Sequence, residues 1–483
     1  MSLEQQAFKG VIWSVIQNWG SQVVSLIVFL ILARLLTPEA FGLVALANTF
    51  LLFMQILLEQ GFTQALIQRQ ELEPEHLNTA FLTNVLIGIC LTILGWFMAD
   101  TIAGMFDQPK LVPILKCFSI LFSINSLRHV QEAILSRKMA FKIMAIRTLI
   151  AIFLGGIVGI VMAISGFGVW SLVSQQIVFE SVSVLVLWQA VDWRPEWQFS
   201  RRHFQDLFSF GINVVGFKFL RFINKRSDNL IIGFFLGEIA LGYYAIAYRV
   251  LEVMTQLLVS TSNQVALPTF AKLQTEPERF RQAFCRVTKL TSLIAFPTFL
   301  GMVALTPEIV TVVFGSQWIP SIPIMRILAF AGILYSLSYF NASVLMALGK
   351  PDWRLWISFM EALLSCIACL VAVKWGITAV AFAHVMSLYV VFPVGQIAVS
   401  KLIHVPMATY FQQFIVPLVS TYIMVVSILA LKYFLGSSVN SGFLLISGTV
   451  TGMMIYGFMI RILDPELFSY LLQLFGTLKS KKT

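Results

Sequence analysis

The sequence predicts an all-α polytopic membrane protein, with two pseudo-symmetric six-helix bundles around a central cavity and two further C-terminal helices. Three observations carry that prediction. Apolar runs of about 18 residues or more recur from one end of the 483 residues to the other, and each is long enough to cross a hydrocarbon core as a helix. Only 12% of the residues are charged and 58% are hydrophobic, with a mean hydropathy of +0.85; a soluble domain has about a quarter of its residues charged. A pattern of small and aromatic residues also recurs at an offset of 200–212 residues.

Fourteen candidate spans follow in order, at 11–35, 41–60, 79–102, 111–133, 143–164, 166–190, 209–233, 239–263, 285–313, 321–347, 355–375, 376–400, 411–434 and 441–462. Spans 5 and 6, and spans 11 and 12, are divided only by the turns Ser165-Gly166 and Trp375-Gly376, so fusing them gives a count of twelve. The first segment is too long for a signal-peptide core and lacks a small-residue cleavage site, so it is expected to remain as a helix. Lys and Arg favour one set of loops about fourfold, which places both termini in the cytoplasm of a plasma (inner) membrane protein. The net charge of +10 is therefore mostly topology, and no soluble basic domain exists to bind nucleic acid. The longest segments between spans, 191–208 and 264–284, are too short for a catalytic domain. The first holds Trp193, Trp197, Arg201 and Arg202, as suits an interfacial strip on anionic lipid.

The repeat sets the domain organisation. LTPEAFGLVALA (36–47) aligns with LGEIALGYYAIA (236–247), matching Leu36 with Leu236, Ala40 with Ala240, Gly42 with Gly242, Ala45 with Ala245 and Ala47 with Ala247. Phe106 then matches Phe314, Pro113 matches Pro323, and Lys138 and Lys142 match Lys350 and Arg354. An offset of six spans is even, so the halves share one orientation about an axis along the membrane normal. The expected division is a bundle over 1–190, a linker over 191–208, a second bundle over 209–400, and two added helices with a basic tail over 401–483.

Chemistry concentrates on span 7. Lys218, Arg221, Lys225 and Arg226 stand in an otherwise apolar stretch, with Asp228 just behind them. Ionisable groups at membrane depth are expensive and mark ligand or ion paths. At about 100° per residue, Lys218, Arg221 and Lys225 share a face. One carboxylate does not neutralise four cations, so the stripe suits an anionic ligand such as a phosphate. Arg249 and Glu252, three apart on span 8, read as an internal ion pair as well as site candidates. Glu59, Glu252, Glu361 and Asp228 are the candidates for ion coupling or charge pairing. Arg128, Glu132, Glu180, Arg326 and His384 are further buried polar positions, His384 as a hydrogen-bonded packing residue. Cys366-x-x-Cys369 lies in mid-helix and reads as packing rather than redox chemistry. No metal-ligand spacing, catalytic triad or phosphate-binding glycine loop appears, so neither an enzyme nor a cofactor is expected.

Two stretches resemble a known family. LARLLTPEAFGLVALA is similar to the first hairpin of Wzx-type polysaccharide flippases, of the multidrug/oligosaccharidyl-lipid/polysaccharide (MOP) superfamily. NKRSDNLIIGFFLGEIALGYYAIAYRV (224–250) and ALPTFAKLQTEPERF (266–280) resemble the signature of that family around spans 7 and 8, and EQGFTQALIQR (59–69) resembles its colanic-acid-exporter-like branch. The resemblance implies an oligosaccharide repeat unit on polyprenyl pyrophosphate as substrate, moved from the inner to the outer leaflet for extracellular polysaccharide or O-antigen assembly. It implies that spans 1, 2, 7 and 8 line a cationic cavity, with Arg226, Asp228 and Arg249 in the signature. Membrane lipids, a polysaccharide polymerase and chain-length machinery are the expected partners. Two other activities fit the same superfamily: flipping of the lipid-linked peptidoglycan precursor, and multidrug/cation antiport, whose cavity would be apolar with isolated carboxylates.

Overall fold

A computed structural model describes residues 3–59, 61–69, 71–435, 439–469 and 473. The described residues are helical throughout, apart from short turns and the linker. The order is α1 (Leu3–Leu35), α2 (Pro38–Glu59), α3 (Phe62–Gln68), α4 (Pro74–Met105), α5 (Leu111–Ser126), α6 (His129–Arg137), α7 (Phe141–Ile164), α8 (Val169–Ala190), α9 (Arg201–Lys272), α10 (Pro277–Ile309), α11 (Ser321–Ala347), α12 (Pro351–Ala372), α13 (Ile377–Ile403), α14 (Met407–Leu435) and α15 (Ser441–Leu463). The all-helical expectation is met.

Among the described residues, twelve helices are long and apolar enough to cross a membrane. The expected fusions at glycine turns do not occur. Gly166 and Gly376 both take positive φ, and the helices stop there. The twelve arise differently. Trp19–Leu35 counts as a shorter apolar helix, and Lys218–Leu258 counts once although it is 41 residues long. At 1.5 Å per residue that segment is about 60 Å, twice a hydrocarbon core of about 30 Å. It turns back on itself at Gly237 (φ 81°, ψ 179°). Tyr244 Oη lies 2.6 Å from the carboxylate of Asp228, sixteen residues earlier; in a straight helix the two would be about 24 Å apart. α9 is therefore two limbs, 201–236 and 238–272, corresponding to spans 7 and 8.

The expected segment 264–284 is also mostly helix. α9 runs to Lys272 and α10 starts at Pro277, so only a short turn separates them. Here the helices continue past their apolar windows into polar sequence, which hydropathy alone does not register.

The chain forms two compact units, Met1–Ile246 with Ala362–Val380, and Ala247–Glu361 with Ala381–Thr483. In the first, α1 packs on α7, α7 on α8, α4 on α5, and α2 and α8 on α5, so the six N-terminal spans form one bundle. A core of Phe62, Leu66, Phe81, Val130, Ile134, Leu187 and Leu207 joins α3, α6 and the start of α9 to this bundle. In the second unit, α10 is the hub against which α11, α14 and α15 pack. Lys432 on α14 pairs with buried Glu308 on α10 at 2.7 Å, and Tyr456 on α15 donates to the Leu293 carbonyl at 2.6 Å. The two helices beyond the repeat are thereby tied to the second half. Large apolar side chains such as Phe97 and Met453 are exposed around the spans, where lipid tails would cover them.

The backbone at Gly237 lies in a region that is essentially glycine-only. Gly237→Ala is expected to destabilise the protein by about 1–3 kcal/mol, read as a lowered unfolding midpoint in nanodiscs; an unchanged midpoint would mean that the turn is not under this constraint.

Candidate functional site

The cation stripe is carried by the first limb of α9. Arg221 and Lys225 are exposed, Lys218 and Arg226 half-buried, and Asp228 is 1% exposed. The helical wheel shows what brackets them. On one flank Phe219 and Phe222 pack on Phe53 of α2, with ring centroids 6.1 and 5.6 Å apart. On the other flank the Asp228 carboxylate accepts from Tyr244 Oη at 2.6 Å and from the Asn229 backbone N–H at 2.8 Å. Lys218, Arg221 and Lys225 fall between these contacts, so the stripe looks out between Phe53 and Tyr244. The local acid is held by a neutral phenol and a backbone amide across the turn. The Asp228–Tyr244 bond was not legible in the sequence, although both residues lie in the quoted motif, because spacing of sixteen signals contact only once the turn at Gly237 is known.

Arg249 and Glu252 form the expected pair, Nη1 to Oε2 3.4 Å, on the second limb of α9. Glu361 lines a small pocket within the second unit, with Asn341, Phe392 and Arg354 also on its wall. The Arg354 guanidinium stands 3.8 Å from Glu361, and Asn341 Oδ1 is buried without a hydrogen-bond partner. The side chain of Glu59 lies outside the described residues. His384 is buried against the Tyr335 hydroxyl at 3.1 Å, as a packing residue would be. Cys366 and Cys369 are free thiols.

The other buried charges in the first unit neutralise one another. Arg128, at the break between α5 and α6, reaches Glu180 on α8 at 2.5 Å and Glu132 at 3.8 Å, and Arg147 on α7 pairs with Glu132. Two arginines and two glutamates form a closed network that ties three spans together. Sequence flagged Arg128, Glu132 and Glu180 individually; their mutual pairing is a product of the bundle.

A second arrangement concerns the repeat. A Cβ on Gly42 would overlap the carbonyl of Glu238, and a Cβ on Gly242 would overlap the carbonyl of Pro38. Gly42 and Gly242 are repeat equivalents, and so, at the same offset, are Pro38 and Glu238. The contact is therefore reciprocal, as an isologous contact across a two-fold axis must be. Backbone meets backbone here because neither position carries a side chain. Flanking bonds reinforce it: Gln108 donates to Glu238, Lys110 pairs with Glu39 at 2.6 Å, and Phe106 packs on both Phe50 and Phe234. These residues close the end of the first unit opposite the linker. The Glu39 carboxylate holds the Lys110 ammonium above the usual lysine value. While the Glu39 carboxylate is ionised, this pairing is present at neutral pH and is lost as pH rises through the raised lysine value.

Comparison with known proteins places this arrangement. The family described as "Polysaccharide biosynthesis protein" matches residues 31–323, more than half of the chain and a stretch that includes the reciprocal glycines and the stripe. The chain belongs to this family. Among curated relatives, teichuronic acid biosynthesis protein TuaB of Bacillus subtilis is 28% identical over 87% of this chain and 88% of its own length. Succinoglycan biosynthesis transport protein ExoT of Rhizobium meliloti is 28% identical over 96% of this chain and 94% of its own. Among solved structures, the lipid II flippase MurJ in an inward closed conformation superposes with a TM-score of 0.78 at 16% identity, covering 95% of this chain and 99% of that one. That likeness establishes the fold: this member of the polysaccharide biosynthesis family shares the all-helical architecture of that structure.

Two outcomes test the site's framework. Replacing Glu180 alone with Leu leaves the Arg128, Glu132 and Arg147 group with one positive charge in excess and is expected to cost about 3–5 kcal/mol, whereas Arg128→Met with Glu180→Leu is expected to be close to wild type; unfolding midpoints in detergent decide between them. A Gln108→Cys/Glu238→Cys pair, which joins the two repeats, is expected to cross-link, and either Gly42→Leu or Gly242→Leu to lower the yield several-fold and to a similar extent. A loss with only one of the two glycine substitutions would contradict the reciprocal contact.

Proposed function

We propose that this protein turns over polyprenyl-pyrophosphate-linked oligosaccharide repeat units from the inner to the outer leaflet of the plasma membrane, by alternating access, for extracellular polysaccharide or O-antigen assembly. The observation that carries the proposal is the α9 stripe, with Lys218, Arg221 and Lys225 on one helical face between Phe53 and Tyr244, beside Arg226 and an Asp228 already held by Tyr244 and the Asn229 backbone. A head group with about two negative charges pays heavily for entering hydrocarbon. Fixed cations in a wet cavity offset that penalty while the prenyl tail stays in lipid. Lysines supply point charges and the arginines forked donors suited to phosphate oxygens.

The family membership and the transport role printed for ExoT support this substrate class. The duplicated architecture supports the mechanism: bundles 1–190 and 209–400 rock about the site, and the Gly42–Gly242 contact forms and breaks with each cycle. Loop charges favour cytoplasmic termini, which supports an outer-side position for the glycine contact. With the inside negative, outward transfer of two negative charges gains about 4–5 kcal/mol per 100 mV. The potential therefore biases the direction. Glu361, weakly engaged by Arg354 on its cavity wall, is the carboxylate best placed to couple an ion to the cycle.

The test replaces Lys218, Arg221, Lys225 and Arg226 singly with Gln in the native host. Surface polysaccharide is expected to fall and the lipid-linked intermediate to accumulate in the inner leaflet, with at least one substitution lowering export roughly tenfold or more, as loss of a charge-assisted phosphate contact of about 1.5–3 kcal/mol implies. Full export in every variant at normal protein levels would reject the stripe as the ligand site.

A further inference from the structure

A separate cluster lies at the linker end of the first unit, away from the stripe. Glu73 caps the start of α4, His76 is on the first turn of that helix, and His203 is on the first turn of α9. The two histidines are far apart in sequence, yet their rings meet with centroids 4.1 Å apart. His203 Nε2 lies 2.9 Å from a Glu73 carboxylate oxygen. One nitrogen or oxygen from each residue falls within 4.8 Å of the others. His76 is 1% exposed, and its Nε2 is buried with no hydrogen-bond partner; His203 Nδ1 is likewise buried without one. A buried imidazole nitrogen left unsatisfied is unfavourable, and His76 Nε2 stands in that state beside a second histidine and a carboxylate.

We propose that Glu73, His76 and His203 form a site for a divalent transition-metal ion of the zinc class. Two imidazole nitrogens and one carboxylate oxygen make the donor set, with water as a fourth ligand. Bonds of about 2.0–2.2 Å in a tetrahedron put neighbouring ligand atoms about 3.3 Å apart. Glu73 and His203 are already close to that separation. Drawing the set together asks the Glu73 carboxylate, exposed at the helix start, to trade its capping contact with the His76 backbone for the ion. The Glu73 N–H currently donates to His76 Nδ1 over 3.3 Å. Coordination through Nε2 moves the ring proton to Nδ1 and gives up this long bond, and the ion takes the buried nitrogen that now has no partner. If His203 enters as imidazolium, its proton leaves to solvent as the ion binds.

The surrounding structure holds the donors in place. The Ser200 N–H donates to Thr79 Oγ1 at 3.1 Å and the Glu196 N–H to Asn78 Oδ1 at 3.2 Å, which fastens the linker along the start of α4. Phe204, next to His203, packs edge-on against Phe62. Asp206 pairs with Arg69 at 3.2 Å, so that nearby cation is answered by an acid outside the donor set. An ion here would pin the entry of α9, the helix that carries the stripe, to α4.

The test uses the full chain in detergent, stripped with a chelator and titrated with Co²⁺ and then Zn²⁺. One tight site is expected, giving the visible bands of tetrahedral cobalt that zinc abolishes, together with a raised unfolding midpoint. His203→Ala and Glu73→Gln are each expected to weaken binding roughly 10–100-fold or more, since loss of outer-shell partners alone does as much. His404→Ala, at an exposed histidine outside the cluster, is expected to leave it unchanged. The metal-free midpoint of each variant reports whether its fold is intact. Equal titration of wild type, His203→Ala and Glu73→Gln would show adventitious binding only and overturn the site, as would loss of the cobalt bands in His404→Ala. Because the readout is metal binding, failure of the flipping proposal would leave this one standing, and the reverse also holds.

Discussion

Everything in this fold is organised around the penalty for charge in hydrocarbon. An ion buried in lipid must be paired, hydrated or bound to something of opposite sign. The protein answers that requirement in two ways. Arg128, Arg147, Glu132 and Glu180 close on one another, and Lys432 closes on Glu308, and these groups hold helices together. On α9 four cations share a short stretch with one acid, and that acid is engaged by Tyr244 and the Asn229 backbone. The first arrangement is structural. The second gathers positive charge on one helix, which is why the proposed ligand is an anion.

The duplication shows in the contacts as well as in the sequence. Two copies of one hairpin touch at Gly42 and Gly242, each against the carbonyl that the other copy supplies. Backbone packs on backbone there, with no flexible side chain between. The Phe50–Phe106–Phe234 ring contacts and the Lys110–Glu39 pair add area and specificity around it.

Particular residues show how far sequence reached. Hydropathy located every span, because lipid demands continuous apolar helices and leaves few alternatives. It did not register that helices run on into the polar segment 264–284, and it placed the twelve-span ambiguity at Gly166 and Gly376 instead of at the α9 turn. Charge counting identified the stripe, since four cations in an apolar window stand out without any structure. It also singled out Arg249 with Glu252, because three-residue spacing implies contact on a helix.

Composition and periodicity thus determined the class of the molecule, its membrane spans, its internal repeat and the helix that carries the positive charge; each of these is a local property, readable from neighbours along the chain. Tertiary structure alone decided which charges cancel, that Asp228 belongs to Tyr244, that equivalent glycines face one another, and that Glu73 and His76 meet His203. Those contacts join residues far apart in sequence, and only the packing of one helix on another brings them within bonding distance.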